Sequence, residues 1–346
     1  MLGIGLISAF YALTFVFGIS GNLWVVTALY RARKDFQLLC FNTSRPVTTP
    51  PTASDRLRTF IFVLAITDCV VLMTLPVSTV HVLNGSWPFG QIGCALYIGT
   101  DRGAKLFSVA VLTGMALQRY LVICTSWRSA SKAFWIPIII GVTTCVIIPV
   151  IWETIYSSVV NFRNEVNSTS LICVSLMEKP EEKYFVNYTF FCGFAIPVIT
   201  MTFCYVMILK HVRNKYRESR AYGTTKNRKP QYMCGLTTSI WRISIFHFGC
   251  WAPFWFFTAA PYIVRLFHLP EFQTNTTWFM TGHLLSNILP YINSAGNWIL
   301  YAFLNYDIRE LVLRRRKHKT SSGGFIPITV SYRQTVDTTS TSIFDH

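Results

Sequence analysis

The stretch Cys94–Tyr120, CALYIGTDRGAKLFSVAVLTGMALQRY, decides how the rest of the chain is read. It is mostly apolar, holds no proline, and is long enough to cross a bilayer as a single helix. Asp101 stands near one end, Ser108 near the middle and Arg119 at the other end. About five helical turns, or roughly 27 Å of axis, separate Asp101 from Arg119, so the two project from one face. Ser108 lies only about 20° off that face. Ionisable groups at such depth are costly and face a bundle interior or a water-filled cavity. The stretch therefore reads as a helix that meets something on one side of a membrane and reports it on the other.

The composition agrees with a membrane solvent. The chain has 346 residues, of which 52% are hydrophobic and only 13% charged, against about 25% charged in soluble domains. Its formal net charge is +16. Of the 31 Lys and Arg, six fall in 31–58, two in 125–132, eight in 210–238 and seven in 305–346. These segments alternate with others that are nearly free of positive charge. That is the positive-inside pattern, which places the basic loops in the cytoplasm. A basic inner face also suits anionic lipid headgroups, and nothing suggests a nucleic-acid-binding domain.

Seven apolar spans follow, at about 4–30, 57–83, 92–124, 133–156, 184–210, 239–267 and 277–303. The expected fold is an all-α, seven-transmembrane helix bundle occupying 1–304, with its N-terminus outside. Residues 2–29 do not read as a signal peptide, because they lack a basic start and RARK follows at once. Most of the 10 Cys lie inside spans. Cys94 and Cys173 instead face the oxidising side, where a disulfide between them is plausible but not fixed by sequence.

Several polar residues punctuate the spans. Asn22 in the first needs a partner on another helix. Residues 31–58, basic and then TSRPVTTPPTAS, read as a flexible inner loop. Asp68 is a lone carboxylate in the second span, and Pro76 is expected to kink that helix. Glu153, near the outer end of the fourth, either lines a pocket or snorkels outward. Pro197 and Tyr205 mark the fifth. The sixth carries HFGCWAPFWFF from His247, where Pro253 should kink the helix beside Trp251, Phe254 and Trp255. The seventh ends in PYINSAGNWILYAF from Pro290, with Asn293, Ser294 and Asn297 as buried polar groups. Asn84, Asn167 and Asn275 head usable outer glycosylation sequons. Residues 305–319 read as an amphipathic helix with a basic end on the inner leaflet, and 320–346 as a disordered, Ser/Thr-rich cytoplasmic tail open to phosphorylation.

Taken in order, these residues resemble the rhodopsin-like G-protein-coupled receptors over nearly the whole chain. Asn22, then Leu64, Ala65 and Asp68, are similar to the motifs of the first two helices. Gln118-Arg119-Tyr120 stands where the family has Asp-Arg-Tyr. Pro197 and Tyr205 match the fifth helix, Cys250-Trp251-Ala252-Pro253 the Cys-Trp-x-Pro of the sixth, and Asn297-Trp298-Ile299-Leu300-Tyr301 the Asn-Pro-x-x-Tyr of the seventh. The resemblance implies a Cys94–Cys173 disulfide. It also implies coupling roles for Gln118, Arg119, Tyr120, Tyr205 and Tyr301, and a sodium pocket made by Asp68, Ser108, Asn293, Ser294 and Asn297.

Asp101 looks like the aspartate that pairs with the ligand cation in somatostatin-, allatostatin-C- and opioid-type peptide receptors and in amine receptors. Tyr291 is similar to the tyrosine that faces it, and Trp251, Phe254 and Trp255 complete the implied ligand site. An internal pairing of Asp101 with Arg102 or Lys105 is the alternative. A long outer loop and many aromatic residues favour a peptide over a small amine. The partners implied are a peptide ligand, a heterotrimeric G protein, arrestin on a phosphorylated tail, and lipid. The expected location is the plasma membrane, as a multi-pass protein.

The chain also departs from the family. Gln118 replaces an Asp, Trp298 a Pro and His247 a Phe, and the middle of the fourth helix lacks a Trp. The first inner loop is long, and the sequence as it stands leaves almost no outer N-terminal tail. These departures raise a second reading, a receptor-like protein or decoy that binds ligand but couples poorly. A transporter would show internal repeats and broken helices. An enzyme would show a nucleophile–base set or a motif such as H-E-x-x-H, G-x-S-x-G or a P-loop. Neither pattern occurs.

Overall fold

The structure is a computed structural model that describes residues 2–42, 53–125, 132–163, 169–221, 231–266 and 276–304. Its elements are α1 (Leu2–Asn42), α2 (Ala53–Asn84), α3 (Gly90–Cys124), α4 (Lys132–Tyr156), β1 (Ser157–Arg163), β2 (Thr169–Ser175), α5 (Lys179–Phe190), a π turn (Phe191–Ala195), α6 (Ile196–Ala221), α7 (Gln231–Leu266), α8 (Thr277–Ser286) and α9 (Leu289–Leu304). Together α5, the π turn and α6 make one continuous fifth rod, and α8 with α9 makes the seventh. Among the described residues, five helical stretches are long and apolar enough to cross a membrane: Gly5–Lys34, Leu57–Asn84, Gly90–Cys124, Pro180–Lys215 and Trp241–Pro261.

The packing is that of a bundle whose solvent is lipid. Large apolar side chains such as Leu13, Ile92, Ile155 and Ile199 are exposed on the outside. Asn22, Asp68, Ser108, His247, Asn293 and Asn297 are buried inside. Hydrocarbon rewards apolar contact on the outside, whereas polar groups need partners from other helices. Asn22 finds one: its amide donates to the Ser294 carbonyl of α9 at 3.0 Å. The inner half of the core is a single cluster that includes Leu29, Leu57, Leu64, Met115, Tyr205 and Tyr301.

The breaks in the rods have chemical causes. Pro197 has no N–H for the Gly193 carbonyl, and the π turn lies at that point. In the same way, Pro290 leaves the Ser286 carbonyl unserved, and the seventh rod breaks between α8 and α9. Ser286 Oγ and Asn287 Nδ2 each donate to the His283 carbonyl at 2.8 Å and close the end of α8. By contrast, α2 continues through Pro76, and α7 through Pro253 and Pro261.

Three expectations need correction. Residues 31–58 are not all loop. The first helix runs on to Asn42 and the second starts at Ala53, because RARKDFQLL contains no breaker before Pro46. The single span 277–303 is two helices, for the reason given above. The outer segment after α4 is an antiparallel hairpin in which Cys173 stands opposite Val159. The proposed helix at 305–319, the tail at 320–346, Asn167 and Asn275 lie outside the described residues. Asn84 is exposed beside the turn in which Gly85 takes a φ of 63°.

The hairpin caps the outer end of the bundle. Gln91 Nε2 donates to the Ser157 carbonyl at 2.7 Å, and its Oε1 accepts from the Val159 N–H at 2.9 Å. The Trp87 N–H donates to the Leu171 carbonyl at 2.7 Å. Cys94 and Cys173 are disulfide-bonded, with their Cα atoms 5.5 Å apart. Loss of a native disulfide removes about 2–5 kcal/mol. Cys94→Ser and Cys173→Ser are each expected to impair surface delivery, and the double variant to be no worse. A double defect equal to the sum of the single ones, in a surface-labelling assay, would argue that each cysteine acts alone.

Candidate functional site

The outer end of α3 is a charge network. Asp101 accepts from Tyr291 Oη at 2.9 Å and from Thr74 Oγ1 at 3.2 Å through Oδ1. Its Oδ2 is 2.7 Å from Lys105 Nζ, one helical turn on. The Lys105 ammonium also sits 4.0 Å from the centre of the Tyr291 ring, a cation–π contact. Of the alternatives left open by the sequence, Lys105 is the internal partner of Asp101. Arg102 turns instead to Glu153 of α4, with Nε 3.4 Å from Oε1. Glu153 is therefore buried and paired rather than snorkelling. Thr74 was not foreseen, since a threonine in an apolar run carries no signal that pairs it with α3.

A separate aromatic cluster comes from the fifth and sixth rods. Trp255 packs edge-on against Phe254 at 5.2 Å and Phe190 at 5.5 Å, and Phe254 against Trp251 at 5.5 Å. Phe254 and Trp255 are buried and Trp251 partly so. The Trp255 Nε1–H is buried with no acceptor among the described residues, which is unusual for a buried indole.

Halfway down, Asn297 Nδ2 donates to Asp68 Oδ2 at 2.9 Å. Asp68 Oδ1, Asn297 Oδ1 and Ser108 Oγ are buried without partners among the described residues. Asn293 is drawn elsewhere: its Oδ1 lies 3.1 Å from His247 Nδ1, in the sixth rod. Ser294 is buried, and its carbonyl accepts from Asn22. Below this level Trp298 fills the space beside Gly21. A Cβ on Gly21 would overlap the Trp298 ring, and Phe17, one turn away on α1, packs against the same ring at 5.3 Å. A bulky residue at position 298 is thus matched by a glycine on α1.

At the inner end, Gln118 and Arg119 are both buried. Neither polar atom of the Gln118 amide has a partner among the described residues. Tyr120 packs edge-on against Phe203 at 5.7 Å. Tyr205 Oη lies 3.3 Å from Ser244 Oγ and joins the fifth rod to the sixth. Tyr301 is fully buried.

One rigid helix thus connects the outer network to a buried arginine at the cytoplasmic boundary. Comparison with known families identifies the arrangement, since residues 47–301 match the 7 transmembrane receptor (rhodopsin family) group. The chain belongs to the rhodopsin family of seven-transmembrane receptors. It is accordingly a multi-pass plasma-membrane receptor and not an enzyme. It is 25% identical over 325 residues to a probable G-protein coupled receptor of Caenorhabditis elegans, covering 90% of this chain and 68% of the relative. Neuropeptide receptor 18 of the same organism is 24% identical over 330 residues, covering 90% and 67%. Somatostatin receptor type 1 of Rattus norvegicus is 27% identical over 309 residues, covering 88% and 70%. Within this receptor the expected ligand residues Asp101 and Tyr291 do meet. Trp251, Phe254 and Trp255 form a separate cluster of rings.

Proposed function

We propose that this receptor binds a peptide at its outer end and activates a heterotrimeric G protein at its inner end. The names of its relatives, a neuropeptide receptor and somatostatin receptors, point to that ligand class. The observation that carries the reading is that the receptor holds, besides its charge network, a ring cluster with a buried, unsatisfied indole N–H. A peptide supplies what such a site lacks, namely backbone carbonyls for the Trp255 donor and apolar side chains for the rings. Asp101, Tyr291, Trp251, Phe254 and Trp255 would form its walls. Binding would shift a two-state bundle toward an inner face open to the G protein, with Gln118, Arg119, Tyr120, Tyr205 and Tyr301 at the moving end. Arrestin on a phosphorylated tail and lipid at the basic inner face complete the expected partners, and glycans at Asn84, Asn167 and Asn275 the expected modifications.

The experiment is a peptide-library screen on cells expressing the full chain, read as nucleotide exchange on co-expressed G proteins. Activation by a peptide but not by amines is the expected result. Binding without exchange would favour the second reading, a poorly coupling receptor, for which Gln118 and Trp298 are the specific grounds.

The oxygens around Asp68 support a sodium ion, since a hard cation prefers carboxylate, amide and hydroxyl oxygen. Because His247 engages Asn293, the coupling should be weak, at the low end of the usual 5–150-fold range. Sodium is expected to lower the affinity of a peptide agonist about fivefold, and Asp68→Asn to abolish the effect. Equal affinity in sodium and in an organic-cation buffer would reject the site.

A further inference from the structure

The outer ends of α3 and α4 hold two acids and two bases, and the two acids are committed very unequally. Asp101 is saturated: both oxygens have donors, from Tyr291, Thr74 and Lys105. Its pair with Lys105 is almost out of solvent, with side chains 11% and 12% exposed. Glu153 is 4% exposed as a residue. It has one long contact, 3.4 Å from Oε1 to Arg102 Nε, and its Oε2 is buried with no donor among the described residues. The Arg102 side chain is 46% exposed.

We propose that Glu153, rather than Asp101, takes the cation of the ligand, and that this cation is a guanidinium, as on an arginine side chain. The inference rests on the peptide-receptor reading above and names the chemistry that site selects. Three physical steps lead to it. A ligand cation at Asp101 must first expel a buried ammonium whose one ion-pair partner among the described residues is Asp101, which is strongly unfavourable. A cation at Glu153 need only displace an arginine whose side chain is 46% exposed and whose contact with the carboxylate is a long 3.4 Å. The exchange also keeps the local balance of two acids and two bases, because Arg102 leaves for water as the ligand cation enters. A guanidinium is favoured over an ammonium because its planar fork serves both carboxylate oxygens at once. Arg102 reaches only one of them. No covalent step is involved.

The test is thermal melting of the detergent-solubilised full chain with L-argininamide and with L-citrullinamide, which keeps the shape but loses the charge. Argininamide is expected to raise the melting temperature and citrullinamide not to. Glu153→Gln should raise the half-saturating concentration of argininamide about tenfold or more. Arg102→Gln, which removes the competing cation, should lower it. Should Glu153→Gln fail to fold, Arg102→Gln still decides, because a weaker or unchanged response there contradicts the exchange. Equal shifts from both amides, no shift from argininamide in the wild type, or a wild-type response in Glu153→Gln would overturn the assignment. None of these readouts needs signalling. Failure of every library peptide in the exchange assay would sink the peptide-receptor reading and leave this measurement standing, and the reverse also holds.

Discussion

Asp101→Asn is expected to damage the fold of this receptor more than Lys105→Met does, and the two together should do less harm than Asp101→Asn alone. The asymmetry follows from the partners each residue leaves behind. With Asp101 neutral, Lys105 keeps the face of the Tyr291 ring at 4.0 Å but loses its one ion-pair partner among the described residues. Breaking a buried pair from one side typically removes about 3–5 kcal/mol, a large part of the roughly 5–15 kcal/mol that holds a domain together. With Lys105 apolar, the carboxylate still accepts from Tyr291 and Thr74, so the loss should be smaller. In the double variant neither charge of this pair remains. Surface delivery and the melting temperature of the solubilised receptor are the measurements. Equal damage from the two single variants, or a double variant no better than Asp101→Asn, would show that Asp101 and Lys105 do not form a working pair. If the double variant folds but no longer responds to peptide, the network also shapes the ligand site.

The crossings were legible because membrane insertion writes them in plain chemistry. Long apolar runs, basic inner segments, and Asn22, Asp68 and Asn297 at bundle-facing positions all follow from the low polarity of lipid. The Cys94–Cys173 disulfide was plausible from the two cysteines' place on the oxidising side, whereas the meeting of Asp101 with Tyr291 was legible only through the family resemblance, since no local pattern links residues so far apart. The extension of α1 past Tyr30 was hidden because polarity is a poor guide to where a helix stops. RARKDFQLL lacks the glycine or proline that would end it. The break at Ser286–Leu289 is legible in Pro290, which withholds a donor from the Ser286 carbonyl.

The choice made by Asp101 was not decidable from sequence. Arg102 and Lys105 were both within reach, and the i,i+4 spacing of Lys105 favours contact on a helix. What decided it was Glu153 on a different helix, which drew Arg102 away. His247 and Asn293 make the same point. Each was conspicuous alone, but their 3.1 Å contact depends on how the sixth and seventh rods pack. Polar networks between helices are settled by geometry that the sequence does not contain.

Gln118→Asp is expected to lower basal signalling about tenfold at matched surface expression. In the family this chain resembles, an aspartate at this place restrains the following arginine while the receptor is inactive. Here the neighbour of Arg119 is an amide, 1% exposed, whose oxygen and nitrogen both lack partners among the described residues. An amide can hydrogen-bond to a guanidinium but offers no charge. A carboxylate beside a buried guanidinium would gain a charge-assisted bond. A gain of about 1.4 kcal/mol in the resting state alone moves the resting-to-active ratio tenfold. The sequence 233–238 at the inner end of the sixth rod offers no carboxylate to replace it, and the Tyr205–Ser244 bond at 3.3 Å is a neutral contact. The wild type should therefore show basal nucleotide exchange above that of Gln118→Asp. Gln118→Leu separates charge from shape: it removes the unsatisfied amide without adding an anion, and should leave basal exchange near the wild-type level. A silent wild type, or a Gln118→Asp receptor as active as the wild type, would mean that the resting bundle is held by other contacts, with the Trp298–Gly21 and His247–Asn293 pairs as the next to be changed.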